Sequence, residues 1–160
     1  MNQPRNPLRI NVGFLLNQFI GYYRDIHFEY PEIHLKPDLP LTNFSGVARV
    51  TRTPQGILVQ GQFQGETPAE CVRCLTDFQQ PLHASFSELY AFNERSVTES
   101  ELILSEDGTL NLEDLVREYL LIELPITPMC TPDCKGLCPI CGQNLNEEMH
   151  EHDVEATNEF

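Results

Sequence analysis

Six cysteines in two clusters constrain this chain more than any other feature of its sequence. The first cluster is Cys71-Val72-Arg73-Cys74. The second is Cys130, Cys134, Cys138 and Cys141. A lone cysteine is often a small buried hydrophobe. Six of them, paired at spacings of two or three residues, call for another account. Disulfides would be reduced in the cytoplasm. A redox CxxC belongs at a helix N-terminus after a strand, whereas Cys71 and Cys74 fall where a turn between two strands is expected. Zinc fits best, because a turn lets two thiolates converge on one ion and Zn²⁺ takes four such ligands in a tetrahedron.

Two zinc ions are expected. Cys138-Pro139-Ile140-Cys141-Gly142 reads as half of a zinc ribbon, and His150 and His152 stand downstream. Side chains two apart on an extended backbone face one side. Cys138, Cys141, His150 and His152 then make one set, and Cys71, Cys74, Cys130 and Cys134 the other. Two other pairings stay open. One ion could take Cys130, Cys134, Cys138 and Cys141, or the two CxxC turns could share an ion. In the two-ion scheme every position is filled by protein, so neither zinc is catalytic. His27, His34 and His83 read as surface residues.

The rest of the chain reads as α+β, with an antiparallel sheet, one main helix and a cysteine-rich zinc-binding C-terminal tail. In Gly56–Gly65, Ile57, Val59, Gly61 and Phe63 share one face and Leu58, Gln60, Gln62 and Gln64 the other. That alternation marks a strand with one wet face. Residues 44–53 read as its partner, joined through a Thr53-Pro54-Gln55-Gly56 turn. Residues 78–90 and 26–35 read as further strands, and 8–12 as a weaker one. Residues 112–124 read as a helix capped by Asn111, with Asp114 as the capping-box acid and Leu110 and Leu115 as a staple. Leu112, Leu115, Val116, Tyr119 and Leu120 form its apolar stripe, Glu113 and Glu118 its solvated side, and Pro125 stops it. Residues 94–108 read as an acidic mobile loop. The expected domains are 1–127 for sheet and helix, 128–153 for the zinc-binding tail packed on it, and 154–160 for a disordered end.

Charge is unevenly distributed. Residues 1–75 carry seven Lys/Arg against six Asp/Glu, a net of +1, and residues 76–160 carry three against eighteen, a net of −15. The acidic half repels phosphate backbones. Direct RNA or partner contact is therefore expected from the first half and its edge, at Arg49, Arg52 and Arg73. No apolar run is long enough to span a membrane and no signal-peptide layout opens the chain, so a cytoplasmic location is expected. There is no glycine-rich phosphate loop, nucleophile elbow or HExxH motif.

The run Glu70-Cys71-Val72-Arg73-Cys74-Leu75, then Ser87-Glu88-Leu89-Tyr90, then Leu112 to Pro125 leading into a cysteine cluster, resembles the YceD family. Asn11-Val12 to Leu16, Gly21, Arg24 and Gly56-Ile57-Leu58-Val59 fit as well. The likeness covers about residues 8–150. Members are called large ribosomal RNA subunit accumulation proteins. The resemblance implies a non-enzymatic role in ribosome assembly, with a ribosomal protein or large-subunit precursor RNA as partner and no small-molecule substrate. Many relatives carry a late Cys-x-Cys near the place of His150 and His152, and some lack the Gly136-to-Gly142 run. The resemblance thus implies that the first metal site is shared and the second accessory. A thiol-redox or metal-sensing protein using Cys71 and Cys74 is the alternative class. A metal-dependent hydrolase is a third, and it would need an open zinc position.

Overall fold

The computed structural model describes residues 7–147. Its main feature is an antiparallel sheet of four long strands in simple sequence order: β2 (Tyr23–Leu35), β3 (Leu39–Arg52), β4 (Gly56–Glu70) and β5 (Asp77–Ala91). A short strand, β1 (Arg9–Asn11), pairs with β6 (Thr109–Asn111) in a separate two-stranded sheet. One α-helix, α1 (Glu113–Ile122), follows β6 directly. The α+β expectation therefore holds.

Alternation in β4 is as the sequence indicates. Ile57, Val59, Gly61 and Phe63 are buried, and Gln60, Gln62 and Gln64 are exposed. The Thr53–Gly56 turn joins β3 to β4. The Thr53 hydroxyl donates to the Gly56 carbonyl at 2.8 Å and accepts from the Gly56 N–H at 3.1 Å. Gly56 is also required by space, because a Cβ there would lie 2.1 Å from the Tyr90 carbonyl oxygen. Phe63 sits at the centre of an aromatic cluster, with ring centroids 5.8 Å from Phe28, 5.7 Å from Phe44 and 6.0 Å from Phe86. Phe86 in turn stacks on Tyr119 of α1 at 4.9 Å. Offset ring pairs at these separations add to the burial energy of each ring.

Helix α1 buries Leu115, Val116 and Leu120 against the core, with Leu112 just before it. Leu112 occupies the cap position, and Asn111 one residue before it accepts from the Glu113 N–H through its side-chain oxygen at 3.1 Å. Glu113 differs from the sequence reading, which places it in solvent. It is 6% exposed, and its carboxylate accepts from the Lys36 N–H at 2.9 Å. A buried acceptor satisfies a backbone donor of the β2–β3 turn, which would otherwise go unpaired. Asp114 is exposed. The helix ends at Ile122, two residues earlier than expected.

The 94–108 segment is also more ordered than an acidic loop suggests. Ala91 donates to Leu102 at 3.0 Å and accepts from Leu104 at 2.8 Å, and Leu104 is buried. Asp107 accepts from Ser105, from the Thr109 N–H and from the Thr109 hydroxyl. These donors hold its carboxyl down to about 2. The bonds shape the turn into β6, whose pairing with β1 the sequence pattern does not reveal.

Two compact units divide the chain. The larger comprises residues up to 67 and 81–124 and contains the core just described. The smaller comprises, among the described residues, 68–80 at the tip of the β4–β5 hairpin together with 125–147. No helix among the described residues is long and apolar enough to cross a membrane.

Candidate metal centre

The smaller unit is built around sulfur. Cys71, Cys74 and Cys134 are almost fully buried and Cys130 is half-buried, with Phe78, Met129 and Leu137 packed against them. Two pieces of chain supply these four residues. The hairpin tip turns sharply at Cys71-Val72-Arg73-Cys74. The N–H of Cys71 donates to the Thr76 carbonyl at 3.0 Å, and the N–H of Leu75 donates to the Cys71 carbonyl at 2.9 Å. Leu75 takes a left-handed φ of 59° to close this turn, a conformation costing a non-glycine residue about 1 kcal/mol. After Pro125 and Pro128, neither of which suits a helix interior, the second piece returns. It is fastened where the Val72 N–H donates to the Pro128 carbonyl at 2.9 Å. Cys134 then folds back on Thr131 through an N–H···O bond of 3.2 Å.

The four sulfurs all lie within 4.8 Å of one another. Cys71 Sγ is 3.7 Å from Cys134 Sγ, and Cys74 Sγ is 3.6 Å from Cys130 Sγ. A tetrahedron with Zn–S bonds of about 2.3 Å has S···S edges of about 3.8 Å. The observed pairs are close to that edge and far from the ~2.05 Å of a disulfide. The donor set therefore fits a soft, four-coordinate metal ion with no position left open.

Surrounding groups shift the sulfurs in opposite directions. The backbone N–H of Cys74, with those of Cys130 and Arg73, holds the Cys71 thiol down to about 6 against the effect of burial. The Thr76 side chain, and then its backbone, lowers Cys74. Burial, and then the neighbouring sulfurs of Cys74, Cys134 and Cys71, push Cys130 up to about 12. Four thiolates repel one another in this space, so protons or a cation must neutralise them. Asn146 donates its side-chain N–H to Cys134 Sγ at 3.3 Å and accepts from the Lys135 N–H at 2.9 Å. Such outer bonds orient ligands and spread their charge. Asn146 is a site residue that sequence spacing missed, since an asparagine twelve residues past a cysteine gives no signal.

The other expected site residues lie elsewhere. Cys138 is buried and Cys141 exposed, in a turn of their own outside the four-sulfur group. His150 and His152 lie outside the described residues. Arg73, expected as an RNA or partner contact, donates to the Cys134 carbonyl at 3.0 Å and so braces the cysteine unit. Arg49 forms a bidentate pair with Asp25 at 2.8 and 3.1 Å and stacks over Tyr23. That pair holds the Asp25 carboxyl below its usual value. Arg52 stacks over Phe92 and donates to the Thr53 carbonyl. All three thus have intramolecular partners. His27, His34 and His83 are exposed. His27 and His83 flank an open concavity on the wet face of the sheet, lined also by Ser45, Gln62 and Gln64.

Comparison with known proteins gives a consistent family. A sequence model described as "Large ribosomal RNA subunit accumulation protein YceD" matches residues 59–160. An uncharacterized protein of Mycobacterium tuberculosis is 36% identical over 110 residues, which is 66% of this chain and 53% of the relative. The uncharacterized protein YlbN of Bacillus subtilis is 28% identical over 96 residues, 57% of this chain and 56% of the relative. A chloroplastic large ribosomal RNA subunit accumulation protein YCED homolog of Zea mays is 38% identical over 40 residues, 25% of this chain and 14% of the relative. The chain spans about half the length of the first curated relatives it matches. No solved structure matches it.

Proposed function

Because this chain belongs to the YceD family of large ribosomal RNA subunit accumulation proteins, we propose that it is a non-enzymatic factor supporting accumulation of that RNA, built as a zinc-stapled adapter. The closed four-sulfur group is the observation that carries the metal part of this reading. Cys71, Cys74, Cys130 and Cys134 would hold the ion, which supplies a cross-link. The charge distribution carries the adapter part. A net of −15 on residues 76–160 suits a basic ribosomal protein better than bare RNA. Zinc thiolates of this kind persist in the reducing cytoplasm, which is where we place the protein.

A second reading is favoured by the low-lying Cys71 thiol. A thiolate at neutral pH beside three other sulfurs would suit a redox or metal sensor. A reversible disulfide under mild oxidation, with no tightly held metal, would support that reading against the adapter.

Cells depleted of the protein test the biological claim. The ratio of large- to small-subunit ribosomal RNA is expected to fall on depletion, and to be restored by the wild-type chain but not by Cys74→Ser. An unchanged ratio would contradict the proposal.

A further inference from the structure

The chain has 24 Asp and Glu, yet none falls within residues 1–24, where Arg5, Arg9 and Arg24 stand. The same stretch carries a run of exposed apolar side chains. Phe19 is 70% exposed, Ile20 62%, Tyr23 53% and Leu16 40%. They are held in a fixed frame. A 3₁₀ turn, Gly13–Asn17, leads into a bend that is pinned to the end of β3. The Gln18 N–H donates to the Leu15 carbonyl and the Tyr22 N–H to the Phe19 carbonyl, each at 3.1 Å. The Gly21 N–H donates to the Arg52 carbonyl at 2.8 Å, and the Arg52 N–H donates to the Tyr22 carbonyl at 2.9 Å. Gly21 takes a left-handed φ of 95°, and a Cβ there would meet no atom within 4 Å. The backbone of the bend, rather than space, selects glycine there. Phe19 packs edge-on to Tyr22 with ring centroids 5.5 Å apart.

Cations border this patch. The Arg24 guanidinium lies 4.1 Å from the Phe14 ring centre, and that of Arg49 lies 4.3 Å from the Tyr23 ring centre. Asp25 neutralises Arg49, whereas Arg24 forms no ion pair among the described residues. We infer that the patch docks a short segment of a partner protein, one that carries large apolar side chains together with carboxylates. Charge complementarity sets the sign, because the patch is positive in a chain of net −14. Size sets the class. The four exposed side chains offer roughly 400 Å², about half of the ~800 Å² that each partner buries in a standard interface. That is too little to hold a second copy against the charge of both chains, and it suits a peptide. Leu16 and Ile20 have no ring, so half of the patch gives bases nothing to stack on, which favours protein over single-stranded RNA. The inference goes beyond the reading above and needs no metal. An adapter that meets a basic protein through residues 76–160 gains here a second surface of opposite sign.

A random peptide library displayed on phage, selected on the wild-type chain and counter-selected on Phe19→Ser with Ile20→Ser, is the test. Enriched sequences are expected to combine Leu, Phe or Trp with Asp or Glu. The tightest of them, synthesised with a fluorescent label, should bind the double variant about tenfold more weakly or worse by anisotropy. Arg24→Glu should weaken it by about as much at low salt. All three side chains are exposed, so the variants should melt as wild type does. Hydrogen exchange on wild type should slow at residues 16–24 when the peptide is added, a readout that needs no variant. Enrichment of Lys- and Arg-rich sequences, or no enrichment over the double variant, overturns the inference. So does a dimer in sedimentation that the double variant abolishes, which would give the patch to a second copy. A uridine-rich RNA oligonucleotide that binds tighter than the selected peptide and is lost in the same variant overturns it too. None of these outcomes alters the metal reading, which is tested by metal content.

Discussion

Replacing Cys74 with serine is expected to destabilise the protein by roughly 4 kcal/mol. Cys74 and Cys130 are 56 positions apart, and their sulfurs lie 3.6 Å from each other. A metal ion held by both closes that loop in the folded state and constrains the chain before it folds. In the chain-entropy treatment a constraint of this span removes roughly 4 kcal/mol of unfolded-state entropy. For a chain of this size that corresponds to a melting temperature lower by roughly 10 °C. A second contribution acts in the same direction, because three thiols remain buried without their ion. Chelator separates metal loss from simple packing loss. It should lower the melting temperature of wild type by a similar amount and leave Cys74→Ser unchanged. A variant as stable as wild type, with or without chelator, would contradict the stapling role.

Acid should act on the same centre. Cys71 is held to about 6 in the fold against an ordinary value of 9.0. A depressed pKa contributes stability in full above the ordinary value, and that contribution is lost as pH falls through the folded one. Protons also compete with the metal for all four sulfurs, so both effects weaken the centre toward low pH. Cys130, pushed up to about 12, runs the other way. It keeps its proton at neutral pH in the metal-free state, and metal loading must displace it.

Association with a basic ribosomal protein is expected to slow at least tenfold between low and high salt. The −15 of residues 76–160 sets up an attractive field for a cationic partner. A zinc ion on the four-sulfur group would not cancel it: four thiolates with one zinc ion would bring the whole chain from −14 to about −16. Oppositely charged partners steered by such a field associate fast at low ionic strength, and screening removes the gain. Bare RNA meets the reverse. The arginines that would contact phosphate are engaged within the protein, Arg49 with Asp25 and Arg73 with the Cys134 carbonyl. Stopped-flow association with basic ribosomal proteins, alongside titration against large-subunit RNA fragments, reads both. A salt-independent rate would contradict the acidic docking face. So would tight binding of RNA alone that weakens when Arg49, Arg52 and Arg73 are replaced, which would make the first half of the chain the RNA-reading part.

Strand alternation made β4 and its turn with β3 readable, since Phe63 and Val59 must point one way and Gln60 and Gln62 the other. The cysteine group was readable only in part, with three pairings left open. A turn between strands brings paired thiols together, and each pair needs two more ligands. Glu113 was misread because its environment is not local: the donor it satisfies belongs to Lys36, 77 residues earlier. The pairing of β1 with β6 escaped for the same reason, each being three residues long with its partner about a hundred positions away. Asn146 acts through one side-chain bond to sulfur, and no periodicity encodes such a bond. The intramolecular neighbours of Arg49, Arg52 and Arg73 were not readable, because composition counts charges without locating what lies beside them.

The central claim is that Cys71, Cys74, Cys130 and Cys134 hold one closed, all-sulfur zinc centre. X-ray absorption at the zinc edge tests it most directly, on protein carrying Cys138→Ser and Cys141→Ser so that those two cysteines contribute no sulfur to the spectrum. The expected spectrum has a single shell of four sulfurs at about 2.3 Å, with no change on adding competing anions. A shell containing oxygen or an exchangeable ligand, or protein that holds no zinc, would contradict it.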